Sequence, residues 1–202
     1  MRRPVVRLPG SPPLGALPVV WVRSFDEDAA ETFAADMAAV RRARPPILPV
    51  VVSSPGGDVY ALMAMMDTLA AYDGPVATIA HGQAMSCGAA LFSCGTAGHR
   101  YVAPSATLLL HNVTSDHAGD KAEEQRANLD ETERLNRALW ERISVNIGKP
   151  PTWLLREHEK RKSVDWYLTP KEAVKIGLAS RVGLPVFEVR QRLDPLLGVP
   201  DR

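Results

Sequence analysis

The chain has 202 residues, a formal net charge of +1 and 46% hydrophobic residues, which is enough to form one domain with its own core. Basic and acidic side chains are mixed, so composition gives no reason to expect a nucleic-acid or membrane partner, and no apolar run reaches the ~18 residues of a membrane span. The first residues lack the apolar stretch of a secretory signal, and the two cysteines, Cys87 and Cys94, fit a reducing compartment. We therefore expect a cytoplasmic protein.

The amino-terminal half alternates between predicted strands and helices. Residues 1–17 are rich in proline and glycine and predict a flexible arm without regular structure. A short strand over 17–22 is followed by a helix over 26–42, whose apolar residues recur every three or four positions. Residues 47–53 are apolar on both faces, as expected for a strand of a parallel sheet covered by helices.

Two consecutive glycines, Gly56 and Gly57, lie between this strand and the next predicted helix. Glycine lets backbone N–H groups turn toward a ligand because no Cβ stands in the way. The same pattern is also compatible with a phosphate-binding loop. However, the loop is not followed by lysine and Ser or Thr, and the third glycine of a dinucleotide site is missing.

Ser86 is the first candidate nucleophile. It lies after a predicted strand over 75–80 and at the start of a predicted helix over 87–97. The free N–H groups and the dipole of a helix N-terminus favour the negative charge of a developing oxyanion. The alternative is that Ser86 serves only as the helix N-cap. The succession of strands and helices predicts an α/β fold with a parallel sheet.

Two further strands are predicted over 101–103 and 106–110, and His111 follows the second. The carboxyl end of a strand is where α/β sheets usually carry functional groups, although a histidine there can also be structural. A long charged helix is predicted over 120–147. Its narrow apolar stripe allows it either to lie on the domain or to project into a partner subunit. The stripe consists of Leu129, Thr132, Leu135, Leu139 and Ile143.

A shorter helix follows and ends near residue 161, and Asp165 then lies in an extended segment. Alone, Asp165 is compatible with a surface carboxylate. Thr169 and Glu172 form a capping box around Pro170 at the start of the next helix. A strand over 177–182 closes the domain, and residues 185–202 form a tail that could dock as a helix on a neighbour. The remaining histidines show neither paired spacing nor neighbouring cysteines, so we expect no metal site; they are His81, His99, His117 and His158.

Four motifs occur in one order along the chain: Ser-Pro-Gly-Gly at 54–57, Gly-Gln-Ala-Met-Ser-Cys-Gly-Ala at 82–89, Leu-Leu-His at 109–111, and Asp165 ahead of Thr-Pro-Lys-Glu-Ala-Val-Lys-Ile-Gly-Leu at 169–178. In sequence and order this set resembles the Clp protease proteolytic subunit family over about residues 18–182. The resemblance implies a peptidase domain over 18–184 on a crotonase-like fold of repeated β-β-α units, with a protruding handle over 112–148.

The same resemblance implies a serine endopeptidase without a metal or cofactor. Ser86 corresponds to the nucleophile, His111 to the general base and acid, and Asp165 to the carboxylate that orients the imidazole. The backbone N–H groups of Gly57 and Cys87 correspond to the oxyanion hole. The family further implies a homo-oligomer in heptameric or double-heptameric rings, acting on protein or peptide substrates. An AAA+ ATPase partner would supply unfolded protein and would be the only user of ATP.

Some residues depart from the pattern of this family. Residues 1–17 have no recognisable counterpart of the longer axial-gate segment, Asn112-Val113 replaces a common Gln-Pro, and Cys87 replaces a common methionine. Asp58 and the His111-Asn112 pair resemble virus-encoded relatives that trim capsid proteins during head maturation. Three alternatives to a housekeeping peptidase therefore stay open: such a viral protease, a catalytically silent ring subunit, and an acyl-CoA enzyme on the related crotonase fold, which shares the oxyanion hole.

Overall fold

A mostly parallel sheet forms the centre of the structure. The computed structural model describes residues 18–114, 121–162 and 164–186, and the predicted arm at 1–17 and nearly all of the tail at 185–202 lie outside these ranges. Within them the sheet has the order β1-β2-β3-β4-β7, while β5 pairs with β3 and β6 pairs with β5. The strands are β1 (Val20–Val22), β2 (Leu48–Ser54), β3 (Val76–Met85), β4 (Arg100–Val102), β5 (Thr107–Leu110), β6 (Trp166–Leu168) and β7 (Arg181–Val182).

Helices connect the strands, as the alternating pattern predicts. All of the pairings are parallel except that of β5 with β6, so the predicted α/β fold with a parallel sheet is confirmed. The capping box of Thr169 and Glu172 is also present. In the described ranges the helices are α1 (Glu27–Ala43), α2 (Val59–Ala70), α3 (Cys87–Ser93), α4 (Ala122–Asn146), α5 (Trp153–Lys160) and α6 (Pro170–Ile176).

Strand β3 is longer than predicted, and its extra residues extend to the position just before Ser86. The prediction ended the strand near Ala80 because Gly82 resembles a terminator, but β3 continues to Met85. Gly82 adopts a φ of +74°, which bends the strand instead of ending it. Residues 78–80 pair with β4, whereas residues 83–85 pair with β5. The bend therefore transfers β3 from one partner strand to the other just before Ser86.

Two elements are shorter than predicted. Helix α3 ends at Ser93 instead of residue 97, and all of its residues are buried. Strand β7 contains only Arg181 and Val182, because Gly177 takes a left-handed conformation that caps α6. These differences leave the order of the elements unchanged.

One face of helix α4 is buried along its carboxyl-terminal half. Leu135, Ile143 and Trp140 are buried there, although Trp140 was not part of the predicted apolar stripe. Leu129, which was part of it, is 57% exposed in the single chain. The carboxyl-terminal half of α4 therefore belongs to the core of its own domain.

A buried cation, Arg100, joins the ends of three helices. Its guanidinium donates to the carbonyl oxygens of Gly95 at 2.9 Å, Asn146 at 3.1 Å, Gly177 at 3.1 Å and Leu178 at 3.0 Å. These carbonyls lie at the carboxyl-terminal ends of α3, α4 and α6, where helices leave acceptors unsatisfied and where the dipole favours a positive charge. Burial lowers the pKa of Arg100, but an arginine side chain stays charged.

A buried histidine, His158, lies on α5. Its ring is 1% exposed, and its Nε2 lies 3.1 Å from the carbonyl oxygen of Val164. Since a carbonyl only accepts, Nε2 carries the proton and donates it. Burial lowers the pKa of His158, against the opposing effects of this hydrogen bond and of the Asp165 charge.

Replacing Arg100 by methionine is expected to lower the free energy of unfolding by about 3 to 5 kcal/mol, because four buried or partly buried carbonyls lose their donor. Urea denaturation measures this. Arg156→Met, which changes an exposed arginine on α5, is the control and should cost less than ~0.5 kcal/mol. Equal losses in the two variants would contradict the role assigned to Arg100.

Acidification is expected to destabilise the fold in part through His158. Its folded pKa is below the unfolded value of about 6.5, so the unfolded chain binds more protons and stability falls as the pH drops through and below that value. The free energy of unfolding, measured at several pH values between 7.5 and 5, should fall less steeply in His158→Gln than in the wild type. Parallel curves would show that the pKa of His158 is the same in the folded and unfolded states.

Candidate active site

Ser86 has a strained backbone. It lies between β3 and α3 with φ +55° and ψ −119°, a conformation that costs a residue other than glycine about 1–3 kcal/mol. Its N–H donates to the carbonyl of Leu109 at 2.9 Å, and its own carbonyl accepts from the N–H groups of Ala89 and Ala90. Hydrogen bonds on both sides therefore hold the strained residue in place.

The Ser86 hydroxyl does not cap α3. The side chain of Ser86 makes no capping hydrogen bond to the backbone of the first turn. In contrast, the side chains of Asp26, Asp58 and Thr169 accept capping hydrogen bonds from α1, α2 and α6. The interpretation of Ser86 as a simple N-cap is therefore wrong, and the hydroxyl remains available for chemistry.

The loop between β2 and α2 approaches Ser86 closely. Gly56 has φ +115°, and a Cβ there would lie 2.8 Å from the Cβ of Ser86. Gly57 has φ +152°, and a Cβ there would lie 2.3 Å from the carbonyl oxygen of Phe25. The N–H of Asp58 donates to that same oxygen at 2.7 Å. Both positions thus require glycine, for reasons of conformation as well as space.

The two predicted oxyanion-hole residues are directly linked. The Cys87 thiol donates to the carbonyl oxygen of Gly57 at a sulfur–oxygen distance of 3.2 Å. Burial raises the pKa of Cys87, so the thiol keeps the proton that it donates. Among the backbone–backbone bonds outside helices and strands in the described residues, neither the N–H of Gly57 nor that of Cys87 is a donor.

His111 and Asp165 are brought together by strand pairing. His111 follows β5 and Asp165 precedes β6, and the last antiparallel pair joins Leu110 to Trp166. The next residues along this ladder are therefore His111 and Asp165. Nδ1 of His111 lies 3.6 Å from Oδ1 of Asp165, which is a charge-pair distance and longer than a hydrogen bond.

Ser86, Cys87 and His111 line one small cavity of ≈ 30 Å³. No hydrogen bond joins the Ser86 hydroxyl to the His111 ring in the part of the chain that the structure describes. The structure thus brings Ser86 and His111 to one cavity and pairs His111 with Asp165. The remaining walls are mostly apolar and come from Val59, Leu62, Ala90, Leu110, Val113, Asn136, Leu139, Trp140 and Ile143.

Helix α4 supplies residues to the site that the sequence pattern did not indicate. The Trp140 indole N–H donates to Oδ1 of Asn112 at 3.0 Å, and Oδ1 of Asn136 accepts from the N–H of Val113 at 2.6 Å. Both bonded residues directly follow His111. Trp140, a large apolar residue in a mostly charged helix, was the one sequence signal for this contribution. It was missed because it does not fall on the narrow apolar stripe that was predicted for the helix.

The described residues contain neither a metal-binding cluster nor a membrane-spanning helix. Among these residues, no group of three or more His, Cys, Asp and Glu side chains could hold a metal ion. None of the helices found there is long and apolar enough to cross a membrane.

Comparison with known proteins identifies relatives. A model of the Clp protease family matches residues 17–185. The chain is 36% identical over 142 residues to the ATP-dependent Clp protease proteolytic subunit 3 of Streptomyces coelicolor, covering 69% of this chain and 62% of that protein. It is 31% identical over 131 residues to the ATP-dependent Clp protease proteolytic subunit of Deinococcus radiodurans, covering 65% of this chain and 62% of that protein. The matched region is thus less than two thirds of either relative.

The family match extends over most of the chain and contains every residue of the candidate site. Its α/β fold with a parallel sheet is consistent with that match. The chain therefore belongs to the Clp protease family.

Proposed function

We propose that this chain is a Clp-type serine endopeptidase with Ser86 as nucleophile, His111 as general base and acid, and Asp165 as the orienting carboxylate. One observation carries the proposal: Ser86 has a strained backbone and a non-capping hydroxyl, and it shares a cavity with the histidine that pairs with Asp165. Strain of this kind persists mainly where function requires it.

The reaction follows from the position of each group. His111 accepts the Ser86 proton as the hydroxyl oxygen attacks a peptide carbonyl, and it then donates that proton to the leaving amine. Asp165 favours the tautomer with the proton on Nδ1 and stabilises the imidazolium. The N–H groups of Gly57 and Cys87 donate to the oxyanion, and water then releases the acyl group by the same steps. Ser86 and His111 must come closer than in the free chain, as is common for catalytic hydrogen bonds on substrate binding.

The lining of the cavity restricts the substrate. Apolar side chains from α2, α3 and α4 form most of the wall beside Ser86, so an uncharged side chain of a peptide is the favoured occupant. A charged side chain would lose its hydration there without gaining a partner. Protein and peptide substrates are therefore proposed, without a metal or cofactor in the chemical step.

Assembly is part of the proposal. Both relatives have names that describe them as proteolytic subunits of ATP-dependent proteases. Large apolar side chains are exposed on the single chain, including Leu129 at 57% and Val145 at 55% on α4. We therefore propose a cytoplasmic homo-oligomer, as a heptameric or double-heptameric ring, with an AAA+ ATPase as its partner.

A second candidate is a catalytically silent subunit of such a ring. The 3.6 Å separation of His111 and Asp165 and the lack of a described Ser86–His111 hydrogen bond favour it. The two candidates differ in whether the Ser86 oxygen is activated.

Labelling with a fluorophosphonate probe tests this difference. The wild type should be labelled, and Ser86→Ala should lose all labelling because the attacking oxygen is removed. Ser105→Ala, which changes an exposed loop serine, should be labelled as the wild type is. Each sample is sized in solution. A well-formed oligomer that is not labelled would support the silent subunit.

Stability measurements on two inactive variants test the strain. Ser86→Gly and Ser86→Ala both remove the hydroxyl and abolish hydrolysis, but only glycine adopts φ +55° without a steric penalty. We expect Ser86→Gly to exceed Ser86→Ala in free energy of unfolding by about 1 kcal/mol, after the greater chain entropy of unfolded glycine is subtracted. Equal values in urea denaturation would show that position 86 is relaxed in solution.

A further inference from the structure

A continuous row of contacts runs behind the His111–Asp165 pair. On the histidine side, the next residue, Asn112, accepts a hydrogen bond from the indole N–H of Trp140 at 3.0 Å. Trp140 is 2% exposed, so the packing around it fixes the direction of this donor.

The row continues to the aspartate side. The rings of Trp140 and His158 lie 4.7 Å apart between centroids and are tilted by 30°, so they are in direct aromatic contact. Nε2 of His158 then donates to the carbonyl oxygen of Val164 at 3.1 Å, and Val164 directly precedes Asp165. We call Asn112, Trp140, His158 and Val164 the brace.

The sheet alone does not hold the His111–Asp165 pair. The β5–β6 ladder ends with Leu110 and Trp166, so both members lie one residue beyond it. The Asp165 side chain is 53% exposed and therefore gains little from packing. Within the brace, the buried rings of Trp140 on α4 and His158 on α5 bond to Asn112 and Val164, the residues next to the pair.

We propose that the brace positions His111 against Asp165, with Trp140 and His158 as positioning residues rather than catalytic ones. This inference rests on the proposed peptidase function. Each ring is buried and donates one hydrogen bond to a residue adjacent to the pair. Loss of either bond frees one side of the pair, and a displacement of about 1 Å in a catalytic group can lower the rate about 100-fold.

Two matched variants remove one hydrogen bond each and keep an aromatic ring at the Trp140–His158 contact. Trp140→Phe removes the donor to Asn112, and His158→Phe removes the donor to Val164. Each should lower kcat for a fluorogenic peptide about 10- to 100-fold with KM changed less than about threefold. His158→Gln restores a donor and should recover part of kcat. Trp153→Phe, on α5 beside Lys149, is the control and should keep kcat.

Trp140 also lines the cavity, so its variant could act through substrate binding instead. In that case KM would rise and kcat would stay within twofold, which overturns the positioning role of Trp140. His158 is not among the residues that line the cavity, so an unchanged kcat in His158→Phe overturns the brace directly. The proposed function is tested separately: the wild type should hydrolyse the peptide and be labelled, and Ser86→Ala should do neither.

Amide hydrogen exchange tests the brace whether or not the wild type is active. The Trp140→Phe and His158→Phe chains should exchange faster than the wild type at residues 111–113 and 164–166, while the core strand β2 keeps its protection. Trp153→Phe should match the wild type throughout. Unchanged exchange in both brace variants would overturn the proposal.

Discussion

The structure depends on a buried positive charge that does not line the cavity of the candidate site. Arg100 donates to carbonyls at the carboxyl-terminal ends of α3, α4 and α6, and these helices flank the three proposed catalytic residues. Helix α3 begins after Ser86, α4 bonds to the residues that follow His111, and α6 comes after the strand that follows Asp165. One rigid guanidinium thus holds the carboxyl-terminal ends of α3 and α4, which line the cavity, together with the end of α6.

At the cavity, the backbone of Ser86 is strained and lowers the stability of the fold. The positive φ of Ser86 is unfavourable, and it survives because its neighbours are fixed independently. The switch of β3 from β4 to β5 ends in the Ser86–Leu109 hydrogen bond, and α3 is buried along its whole length. Gly56 then provides the space that the turned side chain needs. These fixed neighbours hold Ser86 in its unfavourable backbone conformation, with its side chain not engaged in capping α3.

Local patterns predicted the parts of the structure that local chemistry determines. The capping box at Thr169, the parallel α/β sheet and the histidine at the end of β5 all follow from short-range signals. Gly82 was misread because a glycine that bends a strand and one that ends it look alike in sequence. The roles of Arg100, Trp140 and His158 could not be predicted, since each depends on groups that are distant in sequence and meet only in the folded chain. His158 was considered only as a metal ligand, and its burial gives it a different role.

Two residues near the site that depart from the family pattern, Val113 and Cys87, each make a hydrogen bond of their own. Val113 stands where proline is common, and its N–H donates to Asn136, which a proline could not do because it has no N–H. Cys87 stands where methionine is common, and its thiol donates to Gly57, which a thioether could not do because it has no proton to give. Each replacement therefore adds a hydrogen bond between two segments that meet at the cavity. One joins the chain after His111 to α4. The other joins Cys87 to Gly57, the two residues whose N–H groups are the proposed oxyanion donors, so both bonds lie beside proposed catalytic groups.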